Sequence, residues 1–600
     1  MDHEEILTPV AMYRDRFKEE HRKNTAEAFE ALAKRSGVDE AANAELVRKI
    51  RKLEKEVASL DARLTCWKVA RGLAIAIAVG GGLLALLWLV PLLGGNDFGV
   101  SAWAALGGMA ALILSLVLIF TLLNDKVKTF SALVDARRAE LKTRMDEAWN
   151  MMAPLNRLYR WDTVASIIMK TLPIIAIDRF VSAERLRQLA EQFRWIDMTA
   201  NDRSVLACQS GSLNGNPWVI AEELHQTWGS KTYTGSLVIT WQEQEYYTDS
   251  NGRRHSRWVT RTQTLVASVT KPIPVYDQYK RLIYGNEAAP MLSFSRKPNP
   301  LSGADDGFLG RLKLKSAISA LEKKSRDLNN SFTIMDNREF DACFDAVDRD
   351  NEQQFRLLFT PLAQQEMLVL MRDREQGYGD DFTFYKRGMI NTLLSEHLDQ
   401  LDITGSPRNF MNYDLADARK NFNDYSNNFF RIFYFAFAPF LCIPLYQQHR
   451  NFKDIYKGII EDGEAGFFEH EALVNDIGGA KFSHPSAVTR SILKTEVAAR
   501  VGSDDVLTVT AYAFRGESRV DHVPTYGGDG KWHQVPVYWT EYLPVSHSSR
   551  VTVCTAGTGD HLEFAEKFNL QQWKERLAKL GARDLQPLFR RGLAAFVQDR

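Results

Sequence analysis

Two stretches of the chain run without a single charge. Residues 72–93 (GLAIAIAVGGGLLALLWLVPLL) hold 22 such positions and residues 100–123 (VSAWAALGGMAALILSLVLIFTLL) hold 24. Each exceeds the ~20 residues a helix needs to cross ~30 Å of hydrocarbon. Only GGNDFG separates them, so the pattern predicts a tight transmembrane helical hairpin. Small residues recur four apart, at Ala74, Ala78 and Gly82 in the first span and at Ala104 and Gly108 in the second. Such spacing lets helix backbones approach closely in lipid. Ahead of the first span, Leu46, Ile50, Leu53, Val57, Leu60, Leu64 and Trp67 alternate steps of four and three, a heptad seam. A weaker version, Val127, Phe130, Val134 and Leu141, follows the second span. These flanks predict an antiparallel coiled-coil stalk within the chain. Pairing between chains, giving a homo-oligomer through the stalk, is the alternative.

From about residue 200 the period changes to two. TYTGSLVITWQEQEYYTDSNGRRHSRWVTRTQTLVASVTKP reads as two long strands joined by a type I′ turn at Asn251-Gly252. On that register Glu245 faces Trp258 and Gln242 faces Arg261. The polar tip projects into solvent, and Trp241, Tyr246, Tyr247 and Trp258 near it suggest a partner-binding arm, because exposed aromatics are enriched at interfaces. Residues 331–430 read as mixed α+β, starting with a short strand at FTIM. The run RIFYFAFAPFLCIPLYQQHR at 431–450 is the most apolar stretch outside the hairpin. Its uncharged core, residues 432–446, would reach only ~22 Å as a helix, short of the ~30 Å needed. Pro439 and Pro444 would also disturb it. It therefore reads as a buried packing segment, with a re-entrant or interfacial segment as the alternative and a third span least favoured. A second alternating region covers about 485–555, with YGGDGKWH as its turn, and the tail reads as an amphipathic helix.

The pattern divides the chain into six parts. Residues 1–71 form a cytoplasmic helical segment with the heptad stalk, 72–123 the transmembrane hairpin, and 124–200 the returning stalk helix and linker helices. Residues 201–330 form a β-rich domain with the long hairpin, 331–450 an α+β domain ending in the apolar segment, and 451–600 a C-terminal β-rich domain with a terminal helix. The expected fold class is an α+β multidomain membrane protein.

Charge orients the hairpin. Lys and Arg crowd both outer flanks of the spans, and the connecting loop has neither. The positive-inside rule then puts both termini in the cytoplasm, with the protein in the cell membrane as a two-span chain. The 75 basic and 75 acidic residues balance, which argues against an extended nucleic-acid surface. Five scattered cysteines form no CxxC pair and suit a reducing compartment. No signal peptide is expected from the charged N-terminal sequence.

No chemical motif stands out. The run Asp341, Asp345, Asp348, Asp350 lacks the Gly and the Glu an EF-hand requires and reads as a solvated acidic surface. Gly527, Gly528, Gly530 and Lys531 lack the Walker spacing and read as a hairpin turn. His522, His533, His547 and His561 lie within 40 residues but show no ligand spacing. GxSxG and GxGxxG motifs are missing from their required contexts. No cofactor or metal is implied.

Several stretches together resemble a family of bacterial two-span membrane proteins with a large cytoplasmic body, known mainly from mollicutes. They are EEHRKNTAEAFEALAKRSGVDEAAN, the hairpin, the long strand pair quoted above, FAPFLCIPLYQQ and GGDGKWHQVPVYW. The resemblance implies the architecture and no catalytic residues. It leaves function open; the hairpin anchor, the stalk, the aromatic-tipped ribbon and the lack of catalytic signatures lead us to expect binding or scaffolding, with the bilayer and protein partners as contacts. A membrane enzyme with a site assembled from distant residues, or an oligomeric transport component, are the alternatives.

Overall fold

A computed structural model describes residues 5–92, 101–196, 199–248, 250, 252–303, 308–327, 332–448, 464–501, 504–555, 588–590 and 593–598. The chain divides into two compact units, one from residues 27–159 and 407–424, the other from residues 1–26, 160–406 and 425–600.

The first unit is helical. One helix runs from Glu40 to Leu92; a second starts at Ala102, passes a wide π turn at Ile119–Leu123 and continues to Asn156. Both are long and apolar enough to cross a membrane. They pair within the chain. Leu64 packs with Val127 and Val134, and Ala74 with Ile119 and Leu123. The close approach falls on Gly81, not the expected Gly82. A Cβ on Gly81 would lie 2.3 Å from the Gly108 carbonyl oxygen, whereas one on Gly82 would meet only the Leu112 side chain at 3.9 Å. On the partner helix Ala105 is buried and Ala104 is exposed. The reason is the repeat. The heptad positions continue into the uncharged stretch as Trp67, Ala74, Gly81, a seven-residue step, and do not follow the four-residue ladder of Ala74, Ala78, Gly82. Ala74, Ala78 and Gly108 lie on that seam and are buried. At the other end the helices are clamped by residues 407–424. Asn43 bonds the Tyr413 carbonyl and the Leu415 amide at 3.0 Å each, and Arg51 pairs with Asp414 at 2.7 Å.

The second unit holds two antiparallel sheets. In the first, strands β1 (Ile175–Ile177), β2 (Arg203–Leu213), β3 (Asn216–Thr248), β4 (Arg254–Gly285), β5 (Ser293–Arg296), β6 (Phe382–Arg387) and β7 (Ile390–Ser395) take the order β1-β2-β3-β4-β7-β6-β5. The expected boundary near residue 330 therefore does not separate two folds. β6 and β7 complete the sheet that β1–β5 begin, because β7 pairs with the base of β4. Residues 332–335, expected as a strand, have no regular structure. The second sheet has the order β11-β12-β10-β9-β8, with β8 Ile492–Val501, β9 Asp504–Tyr526, β10 Trp532–Thr555, β11 Leu588–Arg590 and β12 Leu593–Gln598. The end of the expected terminal helix is thus strand. β12 lies along β10, and its alternate residues Leu593 and Ala595 enter the core. Residues 556–587 lie outside those described.

A buried helix, Phe467–Gly478, touches both sheets. Phe468 and Ala472 pack on Val205, Cys208 and Ile283, while Leu473 and Val474 pack on Leu493, Leu507 and Val551. Two of its carboxylates, Glu469 and Glu471, are buried too, and each is bonded. Glu471 accepts from the Val205 amide at 3.0 Å and pairs with Lys494 at 2.7 Å; Glu469 accepts from the Val181 amide at 3.2 Å. Burial pushes the Glu471 carboxyl up to about 7, because no bulk water solvates its charged form.

The apolar run at 431–450 sits on the first sheet. It forms the second half of a helix, Leu415–Leu441, and every residue from Ile432 to Ile443 is buried. Phe437 meets Trp218 at 5.2 Å between ring centroids, and Phe440 meets Tyr284 at 4.9 Å. The helix stops short of Pro444, which opens a separate turn. The N-terminal segment packs on this run. The Tyr434 hydroxyl donates to the Pro9 carbonyl at 2.8 Å, and the Gln447 amide bonds both the amide and the carbonyl of Ile6 at 2.8 Å.

Candidate binding arm

β3 and β4 outrun their neighbours. β2 pairs only with residues 216–225 of β3, and β7 only with 282–285 of β4, so the rest forms a two-stranded ribbon. β9 and β10 do the same in the second sheet. A lone ribbon is marginally stable in water. These two bury their facing sides against each other. Ile239, Leu265 and Ala267 of one meet Val535 and Val537 of the other, with Tyr233, Leu237, Trp241 and Val523 around them. The approach is tight: a Cβ on Gly235 would lie 2.0 Å from the Pro536 carbonyl oxygen. A polar lock sits beside the apolar contact. Lys271 pairs with Asp521 at 2.6 Å and lies 4.2 Å from the centre of the Trp539 ring, whose Nε1 donates to Asp521 at 2.9 Å. Those bonds hold the Asp521 carboxyl below its usual range. The glycine-rich turn of the second ribbon docks on the first: the Gly528 amide donates to Gln263 at 2.7 Å, where a Cβ would run into Trp241.

The tip register differs by one residue from that expected. Gln244 faces Trp258 and Glu245 faces Arg257. The last pair is Thr248 with Arg254, so five residues, 249–253, connect the strands where a two-residue turn was expected. Side chains alternate faces, so the shift decides what shares a face. Glu245 pairs with Arg257 at 2.7 Å and Glu243 with Arg261 at 3.2 Å. The Arg257 guanidinium holds the Glu245 carboxyl below its ordinary range and lies 5.6 Å from the centre of the Tyr247 ring. Tyr246 and Trp258 lie on the opposite face, and both are 67% exposed. Of the four aromatic residues singled out, then, Tyr246 and Trp258 share an exposed face, Tyr247 lies on the other face with Arg257, and Trp241 packs between the ribbons.

The second ribbon supplies residues that the sequence reading passed over. Trp532 is 69% exposed and Tyr538 67%; Tyr526 pairs edge-on with Trp532 at 5.5 Å. The signal was present: all three are even-numbered in an alternating segment whose odd positions 535, 537 and 523 are valine. Near the base of the arm, a cleft of ≈ 380 Å³ is lined by Gln226, Tyr276, Tyr512, Phe514 and Pro544 among others, none of them charged.

The other candidates have separate places. Asp341 is buried against Arg349 at 2.5 Å; Asp348 accepts from the Ser295 amide at 2.9 Å and Asp350 from the Ser293 amide at 2.6 Å. Asp345, Asp348 and Asp350 are exposed, as a solvated acidic surface requires, and Asp341 alone of the four is buried. Asp348 and Asp350 tie their loop to the edge strand β5. His533 bonds Asp529 at 3.0 Å inside the turn, His547 bonds the Phe482 carbonyl at 3.0 Å, and His522 faces Pro536 across the strands. His561 lies outside the described residues. Compared with protein-family models, curated proteins and solved structures, the chain matches none.

Proposed function

We propose that the chain is a membrane-anchored binding or scaffolding protein that engages protein partners through the paired ribbons. The carrying observation is the arm itself. Two ribbons are locked together by a small core, and they expose Tyr246, Trp258, Trp532 and Tyr538 while burying none of them. Large aromatic side chains on a braced support are costly to leave in water and dominate interface energetics. Orientation follows the flanking charges: the hairpin crosses the cell membrane and leaves both termini and the body in the cytoplasm. The resemblance to two-span bacterial membrane proteins supports the same layout. Of the two groups that an enzyme reading relied on, Asp341, Asp348 and Asp350 of the acidic run and His533 and His547 of the histidines are bonded at separate places.

Two measurements test this reading. A benzoyl-phenylalanine photocrosslinker at position 258 or 538 should capture a discrete product from membranes, and one at exposed Glu19 should not. Equal, diffuse labelling at all three positions overturns the binding role. A Tyr246→Cys chain lacking Cys66 should resist an impermeant thiol reagent in intact cells and react after permeabilisation. Reaction in intact cells overturns the topology.

A further inference from the structure

Charge on the first ribbon is segregated by face. In β3 from residue 230 to 246, and in β4 from 256 to 270, every even-numbered residue is Ser, Thr, Gln, Val, Tyr or Trp. The cross-strand register puts all of them on one face, and every one is exposed. The same strands carry Lys231, Glu243, Glu245, Arg257 and Arg261 on the odd-numbered face. Arg254, at the far tip, is the nearest charge of matching parity. The ribbon therefore does not lack charge; it keeps charge off one side.

We propose that this even-numbered face of the β3–β4 ribbon is a self-association surface, covered by the same face of a second copy of the chain. The proposal rests on the arm being a binding element and names its partner. Three features favour a second copy. A two-fold interface sets the residues close to its axis beside their own counterparts, so a charge there repels itself, and here that region holds none. Hydroxyl and amide side chains both donate and accept, so a face built of them can pair with itself; lysine and arginine only donate, and carboxylates only accept. Thr232 and Thr270 already bond each other at 3.0 Å, and Gln244 bonds Ser256 at 2.9 Å, which shows such pairing on this face. Finally, sixteen residues at ~3.3 Å each, two strands wide, give ~500 Å² per copy in projection, or ~1,000 Å² for two, the lower bound of a specific interface.

The test uses the full chain in detergent or nanodiscs with Cys66→Ala, which removes the exposed native thiol. Thr262 lies mid-face, opposite Thr240, and is exposed. Thr262→Cys should yield a disulfide-linked dimer, and Glu243→Cys, on the other face, should not. Thr262→Glu should weaken self-association at least tenfold by mass photometry, and mixing it with Thr262→Lys chains should restore the dimer. That restoration also excludes misfolding as the cause. A wild-type monomer, or a dimer indifferent to Thr262→Glu, overturns the proposal. A crosslink from position 258 to a different protein alone overturns self-association but leaves the binding arm standing. Loss of both crosslinks overturns both.

Discussion

Gly80, Gly81 and Gly82 are three consecutive glycines in the first uncharged stretch, and the helix pair separates them sharply. A Cβ on Gly80 would meet nothing within 4 Å. On Gly81 it would lie 2.3 Å from the Gly108 carbonyl oxygen and 3.3 Å from the Leu112 amide. On Gly82 it would touch only the tip of Leu112 at 3.9 Å. Alanine at position 81 must therefore push the helices apart by ~1 Å at their closest point to regain a normal contact, and overpacking of this kind costs ~1–3 kcal/mol. Alanine at position 80 has no clash and gains helix propensity, up to ~1 kcal/mol. Substitutions at positions 80 and 81 should thus have opposite signs, and Gly82→Ala, which meets only an ordinary contact, should follow Gly80→Ala. Gly107→Ala and Gly108→Ala repeat the contrast on the partner helix, since position 107 is open and position 108 faces the Gly81 carbonyl oxygen at 2.8 Å. Reversible unfolding of the full chain in mixed micelles, by SDS titration, reads each difference. Equal effects at positions 80 and 81 would refute the pairing of Gly81 with Gly108.

Three further outcomes are expected. Lys386 is buried, with its amine held by the carbonyls of Ala288 at 3.0 Å and Gly388 at 2.7 Å, and burial lowers its pKa from 10.5 to about 7. The unfolded chain then holds the extra proton between about pH 7 and 10.5, so this residue makes stability rise with pH across that window; Lys386→Met should remove the rise in urea midpoints, and an unchanged slope would count against it. Asp341→Ala removes one of the two carboxylates on Arg349, whose side chain is fully buried and keeps Glu352 at 2.8 Å, and should cost ~1–3 kcal/mol in the same titration, whereas Glu245→Ala at the ribbon tip should cost under ~1 kcal/mol. Gly235→Ala should wedge the ribbons apart and expose Trp241 and Trp539, seen as a red-shifted, more quenchable tryptophan emission; an unchanged spectrum would mean the ribbons do not pack at Pro536.

Much of the architecture was legible because it is periodic. The two uncharged stretches are helices, the alternating stretches are strands, and the 15-residue apolar run was too short for a span and is buried. What escaped depended on partners distant in the chain. The sheet that joins β4 to β7 needs residues 282–285 to meet 390–393, and nothing local announces that pairing. The hairpin register slipped by one because Asn-Gly is a strong two-residue turn signal, yet the strands already end at Thr248 and Arg254. The helix 467–478 defied hydrophobic reading for another reason. Its GFFEHEALVND sequence places two glutamates and a histidine in the core, where backbone amides and Lys494 bond the glutamates and Asp505 lies 3.4 Å from His470. A buried polar group is legible only through its partners, and these come from four other parts of the chain.

The arm shows which part of a functional surface a single sequence can carry. Alternation alone assigns each side chain to a face, so the charge-free face of β3 and β4 can be read directly from residues 230–270 once the register is known. It cannot say which face is covered. On the first ribbon the odd face carries the charges and also Ile239, Leu265 and Ala267; it is this mixed face that packs on Val535 and Val537. The even face, with no charge, is left in water. An unaided hydrophobic reading would bury them the other way round. The charges do not prevent packing because they are set beyond the apolar patch, at positions 243, 245, 257 and 261 near the tip, where cross-strand pairs satisfy them. Gly235 then decides the matter, since the ribbons meet where one strand has no side chain to keep the other away. With the odd face occupied by the second ribbon, Tyr246, Trp258 and the threonine rows stay exposed on the even face, and the bonds given for Tyr246 and Thr232 are to neighbours on that same face. That is why the arm, and not the cleft at its base or the buried carboxylates, is where recognition by another molecule is to be sought.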